Sequence, residues 1–303
     1  MRAVISGASG LIGAALAARL AQQGHQLLSL VRRPPRPGEP AARWDPAAGV
    51  IDVPALEGSD VVVHLAGESV VGRWSEAKQR RIRESRVAGT RLVSEAIAGL
   101  KRRPKVLLAA SAIGYYGDRG AEELTEQSAP GADFLAQVAR DWEAATAPAS
   151  RAGVRVVNLR FGVVLSPAGG ALAKMLPAFR LGFGGRIGSG QQYFSWIALD
   201  DVLDAIGHAI ATDALVGPVN VTAPGPVTNL EFVQTLGRVL RRPAVLPVPS
   251  LALRLLFGAE SAWLLESGQR VLPARLVASG FAFQFPRLEP ALRHLLAARG
   301  GRP

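Results

Sequence analysis

The 303-residue chain contains no cysteine, which excludes disulfide bonds and thiolate metal ligands. Its four histidines lie far apart, at His25, His64, His208 and His294, so we expect no metal site. No apolar run reaches the roughly 20 residues that a membrane-spanning helix needs. Arg2 precedes small apolar residues, as in a secretory signal, but the glycine spacing there fits a strand, a turn and a helix better. We therefore expect a cytoplasmic protein that binds no membrane.

Lysine is scarce, since only four of the 35 basic residues are lysine and the others are arginine. The formal net charge is +11 at pH 7, and a dense basic stretch covers Lys78–Arg86. Such a charge could suggest nucleic-acid binding, but no interleaved aromatic residues or groove-reading motif accompany it. The arginines are spread over a chain that is rich in alanine and glycine. We therefore expect a small anionic molecule, and no nucleic acid, as the partner.

The most specific motif is a glycine turn near the start of the chain. An apolar strand runs into Gly7-x-x-Gly10-x-x-Gly13 and then into an alanine-rich helix. Gly7 permits the tight turn, Gly10 lets the backbone approach a diphosphate, and Gly13 lets helix and strand pack closely. The free N–H groups of the helix N-terminus would face the phosphates. The motif predicts a dinucleotide site whose residues are Gly7, Ser9, Gly10, Leu11, Ile12 and Gly13.

Two arginines after the second predicted strand indicate which dinucleotide is bound. The strand Gln26–Val31 is followed directly by Arg32 and Arg33. A site for NAD usually carries an acidic residue here for the ribose 2′-hydroxyl, whereas arginine accommodates a 2′-phosphate. One or both arginines could also simply end a strand in an arginine-rich protein. Because no carboxylate competes for the position, we predict NADP(H) as the cofactor.

Strands and helices alternate along the first half of the chain, which is typical of an α/β fold with a doubly wound parallel sheet. After about Ser166 the pattern changes to glycine- and proline-rich turns with shorter elements, and this predicts a second region. Near the C-terminus, Leu251–Leu265 is apolar at helical spacing and is interpreted as core. Further elements are predicted as a strand at 60–67, a helix at 75–100, a strand at 105–110, a helix at 133–150 and a strand at 154–159.

These motifs resemble those of the extended short-chain dehydrogenase/reductase superfamily, whose pattern includes the glycine turn, Asp-x-Val-x-His-x-Ala and a Tyr-Gly pair. More narrowly, the chain is similar to a poorly characterised epimerase-like family of nucleoside-diphosphate-sugar epimerase type. The resemblance covers nearly the whole chain. The segments that carry it are Leu65–Glu68, Arg73–Trp74, Ser85–Val87, Gly114–Gly117, Gly188–Gln191, Ser195–Ile197, Asp200–Val202, Pro226–Asn229 and Gly280–Phe283.

The resemblance implies a Rossmann-like NADP-binding domain at residues 1–165 and a smaller substrate-binding region at residues 166–303, with a family-specific segment from about Arg242. By position, Leu65 and Ala66 would line the adenosine side of the cofactor cleft, and Gly67 and Glu68 are also predicted to bind the cofactor. Ser111 would lie near the nicotinamide ribose, and Val163 would meet the carboxamide. Arg86 would reach a cofactor phosphate, or else lie on a solvated basic face.

The usual catalytic pair of the superfamily is missing. Members that transfer hydride use a Tyr-x-x-x-Lys helix, in which the tyrosine exchanges a proton and the lysine lowers its pKa. The corresponding positions here are Phe134 and Val138, and the usual Ser/Thr partner is Ala112, which leaves Ser111 one place earlier. A phenyl ring and a valine cannot exchange protons. The usual mechanism therefore cannot run from these positions.

Other residues are candidates for the missing roles. Tyr116 and Ser111 lie close to the expected nicotinamide site and are predicted as catalytic, although packing explains one of the loop tyrosines equally well. Glu68 would act as an acid if burial raised its pKa; a loop hydrogen bond or a surface charge is the plainer interpretation. Gln191 and Trp196 are predicted as a substrate wall, with core packing as the alternative for Trp196.

Two functions from different classes remain open. The first is an NADP(H)-dependent epimerase- or reductase-like enzyme that acts on a small, sugar-like substrate through non-standard residues. The second is a non-catalytic NADP(H)-binding protein that regulates or contacts a protein partner. The resemblance favours the first, and the residues Ala112, Phe134 and Val138 favour the second.

Overall fold

Alternating apolar strands and alanine- or leucine-rich helices build the molecule, and the computed structural model describes residues 1–248, 258, 263 and 266–297. The strands are β1 (Arg2–Ser6), β2 (Gln26–Val31), β3 (Ala41–Asp45), β4 (Val50–Ile51), β5 (Val61–His64), β6 (Val106–Ala112), β7 (Glu123–Leu124), β8 (Arg155–Phe161), β9 (Val163–Leu165), β10 (Tyr193–Phe194), β11 (Trp196–Ala198), β12 (Gly217–Val221), β13 (Val227–Thr228) and β14 (Arg270–Val271).

The helices connect these strands and cover the faces of the sheet. None of those in the described part of the chain is long and apolar enough to cross a membrane. They are α1 (Leu11–Gln22), α2 (Val53–Leu56), α3 (Glu76–Ala98), a 3₁₀ turn (Ile113–Tyr116), α4 (Phe134–Ala144), α5 (Ala147–Arg151), α6 (Gly170–Arg180), α7 (Leu199–Ala211), α8 (Asn229–Leu240), α9 (Ala274–Ala278) and α10 (Leu288–Ala297).

Eight strands form the central sheet, in the order β12-β8-β6-β5-β1-β2-β3-β4. Every neighbouring pair is parallel except β3 and β4, which are antiparallel. From β1 the chain winds outward through β2 and β3, and then returns to place β5 on the other side of β1. The predicted doubly wound, Rossmann-like fold is confirmed. In such folds a cleft opens where the strand order reverses, which here is between β1 and β5.

Side chains of the central strands alternate between two cores. Ile5 and Val63 face the layer that contains α1 and α7, whereas Val4, Val62 and Leu107 face the layer that contains α3 and α5. All of these side chains are buried, because helices cover both faces of a parallel sheet. The continuous apolar runs of these strands follow from that double burial.

A third core lies in the C-terminal half, between α6, α8 and α10, with Trp196 and Phe232 fully buried at its centre. The chain nevertheless returns to the central sheet, since β12 pairs with β8. The predicted division at residue 165 stays a prediction. The predicted core helix Leu251–Leu265 lies outside the described residues, except for residues 258 and 263.

Most predicted elements lie where the sequence indicates. The long helix begins after Ser75, whose hydroxyl accepts a hydrogen bond from the Lys78 backbone N–H. The helix predicted at 133–150 is instead two helices, α4 and α5. Pro148 lies in the first turn of α5, and because proline has no N–H it cannot continue the hydrogen-bond ladder of α4. The break therefore has a local cause.

We predict that Gly13→Ala lowers the free energy of unfolding by about 3 kcal/mol, because the added Cβ would lie 2.2 Å from the Gly7 carbonyl oxygen. Chemical unfolding followed by circular dichroism measures the change. Gly207→Ala in α7 is the matched control, since its Cβ meets no atom within 4 Å. That variant should gain up to about 1 kcal/mol. Equal effects at the two positions would contradict the packing argument.

Candidate functional site

A cleft of about 370 Å³ opens at the carboxyl ends of β1, β5 and β6, where the strand order reverses. The glycine turn forms one side, and residues after β5 and β6 form the other. Ten of the predicted site residues line it. The lining residues are Gly7, Gly10, Leu11, Ile12, Gly13, Leu65, Gly67, Arg86, Ala110, Ser111, Ala112, Trp142, Phe161, Val163, Val164, Gly170 and Ala171.

The glycine turn brings the N-terminus of α1 against the cleft. Gly7 has a φ of +71°, and a Cβ on it would lie 2.9 Å from the Ala66 backbone nitrogen. Gly10 caps the helix through its backbone alone, with no side-chain hydrogen bond. The N–H groups of the first helical turn have no partners within the helix. The turn therefore offers backbone donors and the positive end of the helix dipole to an anion.

Beneath the turn, a buried hydrogen bond joins the ends of β1 and β5. Ser6 Oγ accepts hydrogen bonds from the Leu65 and Ala66 backbone N–H groups, at 3.1 and 3.3 Å. Its own proton is therefore donated to His64 Nδ1, at 2.6 Å. His64 is fully buried, and burial lowers its pKa to about 4. Neutral His64 thus fixes the segment that follows β5.

The two arginines after β2 differ in their partners. Arg33 donates two hydrogen bonds to the Glu39 carboxylate, and this pairing lowers the pKa of Glu39 to about 2. Arg32 is exposed and has no hydrogen bond or ion pair within the described part of the chain. The charge of Arg33 is therefore already balanced, whereas the charge of Arg32 is available to a ligand.

Arg86 lies inside the cleft and not on a solvated face, which corrects the alternative interpretation of this residue. Its guanidinium carbon lies 5.0 Å from the centre of the Trp142 ring, and its Nη1 donates to the Ile82 carbonyl at 3.1 Å. Burial lowers the pKa of Arg86 to about 10, so the side chain remains a cation at neutral pH. A cation of this kind attracts an anionic ligand group.

Ser111 begins a chain of polar contacts that leads away from the cleft. Its hydroxyl donates to Glu143 at 2.7 Å, and the Glu143 carboxylate accepts two hydrogen bonds from Arg160, at 2.7 and 2.8 Å. Arg160 also donates to the Tyr116 hydroxyl at 2.9 Å, and Tyr116 donates to Asn220 Oδ1 at 2.7 Å. Sequence reasoning missed Glu143, Arg160 and Asn220.

Comparisons with known proteins agree with this geometry. A model of the NAD dependent epimerase/dehydratase family matches residues 3–221. The chain belongs to this family. A second model, described as a domain of unknown function (DUF1731), matches residues 248–295, within the C-terminal segment expected from about Arg242.

Relatives in this epimerase/dehydratase family match the chain over almost its whole length. An epimerase family protein of Mycobacterium bovis is 44% identical over 98% of each chain. The crystal structure of human epimerase family protein SDR39U1 with NADPH has a TM-score of 0.90 and 36% identity, covering 98% of this chain and 99% of that one. A Thermus thermophilus UDP-glucose 4-epimerase in complex with NAD has a TM-score of 0.75 at 20% identity, covers 99% of both chains, and shows the fold alone.

Three predicted site residues of this epimerase-family chain lie where the predicted role does not fit. Tyr116 is fully buried, and burial raises its pKa to about 12, which argues against an acid/base role at the cleft. Trp196 is also fully buried and donates to the Gly225 carbonyl, so the packing alternative is correct. Glu68 pairs with Lys78 at 2.6 Å, which lowers its pKa. This contradicts the interpretation of Glu68 as an acid with a raised pKa and agrees with the plainer one, a loop hydrogen bond or a surface charge, while its place among the cofactor-binding residues stays a prediction.

The remaining predicted residues, Ala66, Gln191 and Ser9, do not line the cleft. Ala66 follows β5 and is held by Ser6, as described above. Gln191 lies in an exposed loop, where its backbone N–H donates to Ser189 Oγ at 3.2 Å. Ser9 is part of the glycine turn between β1 and α1 and is exposed. Their roles toward a ligand stay predictions.

We predict that His64 makes stability depend on pH. Its pKa is about 4 in the folded protein against 6.5 as the ordinary value, so the unfolded chain binds a proton first as the pH falls. The stabilisation from neutral His64 is complete above pH 6.5 and is lost as the pH falls toward 4. Between pH 7 and 5 the loss amounts to about 2 kcal/mol.

Urea unfolding at pH 7 and pH 5 tests this for the wild type, His64→Gln and His25→Gln. The change between the two pH values should be about 2 kcal/mol smaller in His64→Gln than in the wild type. His25, a partly buried residue just before β2, is the control and should behave as the wild type does. The same pH dependence in all three proteins would rule out His64 as its source.

Proposed function

We propose that this chain binds NADP(H) in the cleft and transfers hydride between it and a small, sugar-like substrate. The observation that carries the proposal is the combination of a glycine turn at the N-terminus of α1 with Arg32 at the end of β2, an exposed cation that makes no hydrogen bond or ion pair among the described residues. The human relative crystallised with NADPH supports the same cofactor. Family membership supports the reaction class.

The residues present fit a dinucleotide that extends across the carboxyl ends of β2, β1, β5 and β6. The N–H groups of α1 would hold the diphosphate, and Arg32 would hold the 2′-phosphate of the adenosine half. When bound, NADPH supplies a hydride. The other residues proposed to hold it are Gly7, Ser9, Gly10, Leu11, Ile12, Gly13, Leu65, Ala66, Gly67, Glu68, Arg86, Ser111 and Val163, with Arg33 in a lesser role because Glu39 already neutralises it.

A second candidate function is a non-catalytic NADP(H)-binding protein that presents a cofactor-dependent surface to a protein partner. One observation favours it: among the described residues that line the cleft, Arg86 has the only side chain with an ionisable group. A guanidinium does not exchange protons at neutral pH. An enzyme that used this cleft would have to take its proton from water or from a residue of the substrate-binding region.

We predict that Arg32→Ala weakens NADPH binding by about 10- to 100-fold, because a charge-assisted contact to the 2′-phosphate is lost. Binding of NADH should not change, since NADH carries no 2′-phosphate. Fluorescence titration of each reduced nucleotide against the purified, nucleotide-free protein measures both affinities.

Arg33→Ala is the matched control for this titration. Its guanidinium is already paired with Glu39, so we expect less than about a threefold loss of NADPH affinity. A wild-type protein that bound NADH as tightly as NADPH would contradict the cofactor assignment. Equal losses in Arg32→Ala and Arg33→Ala would contradict the distinction between the two arginines.

Turnover separates the two candidate functions. We predict that the wild type oxidises NADPH in the presence of one or more keto sugars, followed by the loss of nucleotide absorbance. Gly10→Val should abolish the reaction, because the valine side chain would block the approach of the diphosphate to the backbone. Even a single Cβ added at Gly10 would lie only 3.3 Å from the Gly7 carbonyl oxygen. A protein that binds NADPH tightly but oxidises it with no substrate of this class would favour the non-catalytic function.

A further inference from the structure

Among the described residues that line the cleft, Ser111 has the only hydroxyl side chain. The other lining side chains with hydrogen-bonding groups are those of Arg86 and Trp142, and the Trp142 indole N–H already donates to Thr90 Oγ1 at 2.8 Å. Ser111 lies at the end of β6, with only 2% of its surface exposed. Any neutral polar contact between the cleft wall near β6 and a ligand therefore depends on this hydroxyl or on the backbone.

The direction of the Ser111 hydrogen bond follows from its partner. Glu143 accepts two hydrogen bonds from Arg160, whose guanidinium is always charged and has only donors. Glu143 is therefore a carboxylate that can only accept. The single Ser111 proton points to Glu143 Oε1, at 2.7 Å. The lone pairs of Ser111 Oγ remain, so the hydroxyl can only accept a hydrogen bond from a ligand.

Buried contacts behind Glu143 hold this arrangement in one orientation. Arg160 is 2% exposed and donates to the Tyr116 hydroxyl, so the Tyr116 proton has to point to Asn220 Oδ1. The orientation of the Asn220 amide is set in turn, because its Nδ2 donates to the Leu272 carbonyl at 3.0 Å. The donor and the acceptor of each of these hydrogen bonds are therefore assigned, and none can be reversed without breaking a buried contact.

We propose that Glu143 is a positioning residue that fixes Ser111 as a hydrogen-bond acceptor for a hydroxyl group of the nicotinamide-side ribose. The inference rests on the proposed binding of NADP(H). With the diphosphate at the N-terminus of α1 and the adenosine half over β2, the sheet order β6-β5-β1-β2 puts the nicotinamide nucleoside beside β6. A ribose hydroxyl is a neutral donor, which suits an acceptor in this wall. Ser111 then orients the cofactor and is not a proton donor to substrate.

A double-mutant cycle tests the proposal through binding alone. NADPH affinity is measured for the wild type, Ser111→Ala, Glu143→Gln and the double variant, with adenosine 2′,5′-bisphosphate as the second ligand. Ser111→Ala should weaken NADPH binding by about tenfold, the contribution of one hydrogen bond. Affinity for the bisphosphate should not change, because that molecule lacks the nicotinamide nucleoside.

Glu143→Gln should weaken NADPH binding in the wild-type background and have no further effect in the Ser111→Ala background. A merely structural role would weaken binding equally in both backgrounds. Asp141→Asn is the matched control on α4, since Asp141 pairs with Arg83 at the surface and should leave both affinities unchanged. If Glu143→Gln does not fold, Glu143→Asp replaces it in the cycle. Aspartate keeps the negative charge opposite Arg160, but its shorter side chain moves the carboxylate away from Ser111.

Three results overturn the inference. Unchanged NADPH affinity in Ser111→Ala would show that no ligand hydroxyl uses this acceptor. Equal losses for NADPH and the bisphosphate would place the effect at the adenosine half or in the fold. A further loss when the Glu143 substitution is added to Ser111→Ala would show that Glu143 does not act through Ser111. A wild-type protein that binds neither ligand overturns the proposed function itself, which distinguishes the two failures.

Discussion

The close approach between the start of α1 and the turn after β1 is the constraint on which the cleft depends. Gly13 lies so near the Gly7 carbonyl that no Cβ fits between them, and Gly7 itself lies against the backbone after β5. The buried contact between Ser6 and His64 joins the same two strand ends. Backbone donors of α1 therefore face a cleft whose opposite wall is fixed by β5 and β6.

The cleft is asymmetric in its polar groups. Its glycine-rich side offers backbone donors, whereas the opposite side offers an acceptor, Ser111, and a half-buried cation, Arg86. The ion pair between Glu143 and Arg160 supports that wall from behind. Burying two charges is costly unless both are fully hydrogen bonded, and here each has further partners. Because Asn220 bonds to the Leu272 carbonyl, the same network ties the wall to the C-terminal segment.

Much of the site could be predicted from local sequence. Three features can be recognised from a few neighbouring residues each: the glycine turn, the arginines after β2, and the presence of Phe134 and Val138 in place of the usual catalytic pair. Tyr116 and Trp196 were harder to place, because the sequence near a tyrosine or tryptophan in a short element does not show whether its side chain points into the core or into the cleft. One feature of the sequence pointed to Glu143. It lies more than one helical turn after Val138, on a helix expected at the cleft.

By itself the sequence determined the fold class, the parallel order expected from alternating strands and helices, and the position of a dinucleotide turn, because these depend on hydrophobic periodicity and on glycine spacing within short segments. Only the tertiary structure decided which arginine after β2 makes no hydrogen bond or ion pair among the described residues, which tyrosine is buried and which carboxylate accepts the Ser111 hydrogen bond. Those outcomes depend on contacts between residues far apart in the chain, such as Tyr116 with Asn220, and the distance between such residues is set only when the sheet and its helices pack together.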